Sequence, residues 1–110
     1  MREPIPPGTL ELMILKVLAR GGDQHGFEIA AAIGQLSEDV FYVEEGSLYP
    51  ALQRMLIKGW VAVEWGVTAE KRRARYYRLT PGGRKRLNTE LARFERVSRA
   101  INRVLEATGR

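Results

Sequence analysis

Between residues 47 and 58 the chain presents a hydroxyl (Ser47), a phenol (Tyr49), a carboxamide (Gln53), a guanidinium (Arg54) and an ammonium (Lys58), with Pro50 among them. These groups offer hydrogen bonds and charge, which is recognition chemistry rather than bond breaking. On the outer face of a helix, Gln53 can pair bidentately with adenine and Arg54 with guanine. Ser47 and Tyr49 suit phosphate oxygens near the helix start. A second group, Lys71, Arg72, Arg73 and Arg75, supplies positive charge without needing fixed geometry. The single histidine, His25, stands with Gly26 at another helix start, whose free N–H groups can hold a further phosphate.

Catalysis finds little support. The chain has no cysteine, which removes disulfides, thiolate nucleophiles and every zinc site built on sulfur. One histidine rules out a multi-histidine metal centre. His25 and Ser47 sit at separate helix starts, and no third group is evident to orient them. Gly21-Gly22 and Gly82-Gly83 do not match G-x-G-x-x-G, and Gly83-Arg84-Lys85 lacks the earlier glycine and the Ser/Thr of a phosphate-binding loop. Glu44-Glu45 reads as a solvated turn, and Trp60 and Trp65 read as hairpin packing residues. The expectation is a protein that is not an enzyme, with no metal and no cofactor.

The charge is lopsided. Of 110 residues with a formal net charge of +5, residues 1–50 carry 3 basic and 8 acidic side chains, whereas residues 51–110 carry 15 and 5. Eight of the basic residues fall between Thr68 and Arg86, against one acid, Glu70. A basic block of this kind is the electrostatic footprint of a nucleic-acid binder. Apolar runs such as Leu12 to Leu15 are far too short to cross a membrane. No secretory signal opens the chain, so a soluble cytoplasmic protein without a membrane partner is expected.

The elements that must position these groups follow from periodicity. After the arm of Pro4, Pro6, Pro7 and Gly8, Thr9 is expected to cap a helix carrying Leu10, Met13, Ile14, Val17 and Leu18 at helical spacing. Leu12 and Leu15 widen its apolar surface, which fits either a central core helix or one that also meets a second subunit. Gly21-Gly22 ends it. A second helix starts near Asp23 to His25, with Ile29, Ile33 and Leu36 inward. Ser47 is expected to cap a third helix over 47–58, with Leu48, Ala51, Leu52, Met55 and Leu56 as its inner stripe. Alternation over Trp60–Trp65 and the Tyr- and Leu-rich run Arg75–Leu79 predict two strands. The connection 66–74 then forms a wing whose tip holds Lys71, Arg72 and Arg73. Thr80-Pro81 opens a long last helix. Leu87, Leu91, Phe94, Val97, Ile101 and Leu105 form its seam, read as a coiled-coil-like dimer contact.

Three helices and a two-stranded wing make a winged helix-turn-helix over residues 1–80, followed by a dimerisation helix over 81–110. In such a fold helix 47–58 enters the major groove of double-stranded DNA, and the wing reaches the backbone or minor groove. Leu12 and Leu15 join the expected dimer interface.

The chain resembles the PadR-like transcriptional regulators. The resemblance rests on Gly8-Thr9-Leu10-Glu11 through Leu18, His25-Gly26-Phe27-Glu28-Ile29, Gly46-Ser47-Leu48-Tyr49-Pro50-Ala51-Leu52, Gly59-Trp60-Val61, and Arg75-Tyr76-Tyr77-Arg78-Leu79-Thr80 with Gly83. Ser37-Glu38-Asp39-Val40, Val43 to Leu52 and Glu64-Trp65-Gly66-Val67 look like the acidobacterial branch. The resemblance implies a homodimeric repressor on a palindromic operator, with first and last helices building the dimer. Some relatives with one C-terminal helix bind flat aromatic compounds between the subunits through a tryptophan. The matching position here is Phe94, a candidate pocket residue for a small-molecule effector. Two alternatives stay open: a multidrug-type sensing regulator, and a winged-helix protein-interaction module that binds no DNA.

Overall fold

The computed structural model describes residues 2–108. The outermost residues of the two expected parts, 1 and 109–110, therefore lie outside the described residues. Helix α1 (Leu10–Gly21) is the central element and packs against the second, third and last helices. Its apolar surface is buried on two sides, with Ile14, Leu15, Val17 and Leu18 at most 4% exposed. Leu15 was expected at the dimer interface. At 1% exposure it belongs to the core of its own chain and has no surface to offer a second copy. Thr9 precedes the helix without capping it: its hydroxyl donates to the Pro6 carbonyl at 2.7 Å, because the proline arm turns back onto it.

Strand β1 (Gln24–His25) leads directly into helix α2 (Gly26–Leu36). Ile29 and Ile33 are buried, but Leu36 is 53% exposed at the end of the helix, where the chain reverses. Glu38 and Asp39 make that reversal in left-handed backbone (φ 53° and 64°), and the Asp39 amide closes on the Gly34 carbonyl at 2.8 Å.

Helix α3 (Glu45–Ile57) starts two residues earlier than expected. The Glu44 carbonyl accepts from the amides of both Ser47 and Leu48, at 3.0 and 2.9 Å, so Ser47 is inside the first turn and Glu44 flanks it. Pro50 is the sixth helical residue; its missing N–H leaves the Gly46 carbonyl without its helical partner.

Strands β2 (Val61–Val67) and β3 (Arg73–Leu79) run longer than expected, pairing from Val61↔Leu79 to Val67↔Arg73. The wing loop is thus residues 68–72 rather than 66–74, and Arg73 is a strand residue, not a tip residue. Thr68 closes the tip: its amide donates to the Arg72 carbonyl (2.8 Å) and its hydroxyl accepts from the Arg72 amide (3.2 Å). Lys71 takes left-handed backbone (φ 64°), as a three-residue hairpin loop demands of its last member. The sheet has three strands, in the order β1-β3-β2, because Gln24 and His25 pair with Tyr77 and Tyr76 on the free edge of β3. Two residues of strand are too short to announce themselves by alternation.

Helix α4 (Pro81–Glu106) opens as expected, with the Thr80 hydroxyl accepting from the Gly83 amide at 3.0 Å and Pro81 in the first position. Gly83 lies so close to β2 that a β-carbon would collide with the Trp60 carbonyl. Leu87, expected at the dimer interface, is 3% exposed and packs into the same core as Leu15. Leu91 is half-buried against that core. Beyond it the helix outruns the body, and Phe94, Val97, Ile101 and Leu105 are 42–74% exposed.

Candidate nucleic-acid interface

Helix α3 buries Leu48, Ala51, Leu52 and Met55. At 100° per residue the opposite face is centred on Gly46, Pro50, Gln53 and Ile57, so Pro50 and Gln53 point outward and are exposed. Ile57 joins them at 76% exposure. Its apolar side chain on the outer face went unnoticed in the sequence, because Leu56 beside it continues the inner stripe.

The flanks of α3 part company. Tyr49 leans toward α2 and rests on Gly26, where a β-carbon would overlap the phenol. Burial, then the neighbouring Glu45 carboxylate, then Tyr77 hold its hydroxyl above the ordinary phenol value. Ser47 and Arg54 lie on the other flank. Ser47 borders a cavity of about 570 Å³ under the N-terminal arm, shared with Arg2 and Glu44. Arg54 Nε donates to Glu11 Oε2 of α1 at 2.9 Å. Lys58, expected among the DNA contacts, instead lays its ammonium 4.7 Å from the Trp60 ring centroid, and the Arg86 guanidinium sits 4.7 Å from the same ring. Trp60 thus packs as expected, between the end of α3 and the start of α4.

His25 is the residue before α2 and takes part in a reciprocal cap: its Nδ1 accepts from the Glu28 amide (3.4 Å), and Glu28 Oε1 accepts from the His25 amide (3.1 Å). The carboxylate therefore occupies one of the N–H groups expected to hold a phosphate. The imidazole meets Tyr76 edge-on, 5.4 Å between centroids.

One open groove, about 760 Å³, runs between the wing and the α2–α3 body. It brings together His25, Tyr49, Arg72, Arg73 and Arg75. It does not take in Gln53, Arg54, Lys58 or Lys71. Three guanidiniums line it against one carboxylate, Glu70. Two further lining residues were missed. Phe27 is 69% exposed, and Trp65, expected to pack inside the hairpin, is 59% exposed with the Arg73 guanidinium 4.5 Å from its ring centroid. Alternation placed Trp65 on the same side as Val61 and Val63, which is correct. It carries no sign that the strand runs out past the body.

Phe94 lines a smaller groove of about 230 Å³ between the start of α1 and α4, with Leu12, Val97 and Ile101. Among the described residues no group of three or more metal-ligating side chains occurs, and no helix is long and apolar enough to cross a membrane.

Comparison with known proteins agrees with this geometry. Residues 14–89 match the model of the transcriptional regulator PadR-like family. A transcriptional regulator from Clostridium thermocellum is 29% identical, covers 87% of this chain and 92% of its own, and superposes with a TM-score of 0.79. A PadR family transcription regulator from Clostridium difficile is 27% identical over 89% and 99% of the two chains, with a TM-score of 0.75. The fold also matches Bacillus subtilis PadR in complex with operator DNA, at 23% identity, 78% of this chain, 48% of that one and a TM-score of 0.67.

Proposed function

Because this chain belongs to the PadR-like family of transcriptional regulators, we propose that it is a homodimeric repressor that binds a palindromic DNA operator in the cytoplasm. Residues 1–80 serve as the DNA-binding part and 81–110 as the dimerisation helix. The observation that carries the reading is the groove in which the Tyr49 flank of α3 and the arginines of the wing face each other, with Pro50 and Gln53 exposed on the same helix. Pro50 and Gln53 meet base edges in the major groove; Arg72, Arg73 and Arg75 meet phosphates. The operator DNA bound by Bacillus subtilis PadR supports the same partner for this chain.

Dimerisation rests on the far half of α4. Phe94, Val97, Ile101 and Leu105 continue the stripe that Leu87 and Leu91 spend on the core, and among the described residues they stay 42–74% exposed. A second copy laid against that stripe and against Leu12 buries it.

The test is a titration against the DNA upstream of its own gene at two salt concentrations, with random DNA as control. Tighter binding than the control, steep salt dependence and two chains per site support the reading. Absence of binding even at low salt overturns it in favour of a protein-interaction module. Ile101→Asp should halve the mass seen by light scattering; an unchanged mass removes the α4 seam from the dimer.

A further inference from the structure

On the wing, Val61, Val63, Trp65 and Val67 share one face with Tyr77, Arg75 and Arg73 across the ladder. Exposure climbs along that face, from 2% at Val61 through half-buried Val63 to 59% at Trp65 and 65% at Val67. The apolar surface that seals the core at the base of the sheet therefore continues into solvent, over the basic groove. Interior packing does not account for an indole there. Arg73 covers one side of the ring, and the rest stays open. Phe27 and Tyr49 form the opposite wall.

Duplex geometry says what fits between them. The ridge that separates the major groove from the minor groove is a single sugar–phosphate strand. A protein with a helix in one groove and a hairpin at the next must straddle that strand. Its chemistry alternates anionic phosphate with the weakly polar face of deoxyribose, and the groove alternates guanidinium with aromatic ring. Resting on the DNA-binding function proposed above, we infer that the groove is a clamp for one deoxyribose–phosphate strand. Trp65 packs its open surface on a sugar while Arg72 and Arg75 hold the flanking phosphates. Trp65 thus adds a contact that depends on neither charge nor base sequence.

The salt dependence of binding separates this contact from the arginines beside it. The probe is a mixed-sequence duplex of about three helical turns, read by anisotropy over a series of salt concentrations. Trp65→Ala should weaken binding of the dimer about a hundredfold, the size expected when each of the two subunits loses burial of about 60 Å² of apolar ring. The slope of log K against log salt should stay unchanged, whereas Arg75→Ala should lower it by about 1.8, one phosphate contact in each of the two subunits. Trp65→Phe should recover most of the loss. The chain has two tryptophans, so Trp60→Phe leaves Trp65 as the sole emitter, and saturating duplex should quench it. If Trp60→Phe does not fold, the difference between wild type and Trp65→Phe reports the same signal.

Wild-type affinity in Trp65→Ala, with emission indifferent to duplex, overturns the clamp and leaves DNA binding intact. A Trp65→Ala loss accompanied by a lower slope and no rescue by phenylalanine also overturns it, since Trp65 then only props Arg73. A wild type that binds no duplex at low salt removes the DNA-binding function and the clamp together.

Discussion

Arg54 of α3 donates to Glu11 of α1 at 2.9 Å, across forty-three residues of sequence. The guanidinium that looks free to read guanine from helical spacing is held sideways, toward the helix that α3 packs on. Arg54 is 55% and Glu11 25% exposed, so the pair contributes less than about 1 kcal/mol to folding. Its consequence is for binding. Glu11→Gln should release Arg54 toward the DNA and steepen the salt slope by about 1.8, one further phosphate contact in each of the two subunits, with little change in melting temperature. Anisotropy at several salt concentrations decides; an unaltered slope and affinity would show that Arg54 stays away from the DNA even when released.

Gly83 sets the distance between α4 and the hairpin. A β-carbon there meets the Trp60 carbonyl and Leu79, and that same carbonyl accepts from the Thr80 amide at 3.1 Å. Gly83→Ala should cost about 2 kcal/mol by forcing backbone apart. Gly82→Ala, with room for the added carbon, should cost far less. Urea unfolding of the two variants checks the contrast; equal midpoints would contradict the packing.

His25 acts here as a cap before it acts as anything else. His25→Ala should lose about 1 kcal/mol of stability, and His25→Asn should keep most of it, since a short amide caps as well. Thermal melts of the two variants give the comparison. If both lose DNA affinity alike while only alanine loses stability, the imidazole itself contacts the DNA.

Tyr49 makes stability depend on alkaline pH. Its hydroxyl holds a proton more tightly in the folded chain than in the unfolded one, owing first to burial and then to Glu45. The folded state therefore binds more protons once pH passes the ordinary phenol value of about 10. The contribution is whole below that value and is lost as pH rises through the higher folded one. Tyr49→Phe should flatten the decline of melting temperature in this window. A decline as steep as in wild type would place its origin elsewhere.

Local pattern decided a great deal. The apolar spacing of Leu10 to Leu18, the Thr80-Pro81 opening, the alternation after Gly59 and the Tyr-rich run after Ala74 specify their elements, because each depends on residues within one or two turns. The resemblance carried by His25-Gly26-Phe27-Glu28-Ile29 and Gly46 to Leu52 extended that to family and fold. Tertiary structure decided which faces were spent. Leu15 and Leu87 vanish into the core while Ile101 and Leu105 do not, although all sit on apolar stripes, because only part of each stripe lies over the body. The third strand exists because β3 has an edge for Gln24 and His25 to meet. Arg54 and Lys58 find partners in Glu11 and Trp60, and Trp65, with Arg73 against its ring, stays 59% exposed. Periodicity states which way a side chain points from its own element; what stands there is set by the distances between elements, which local sequence does not contain.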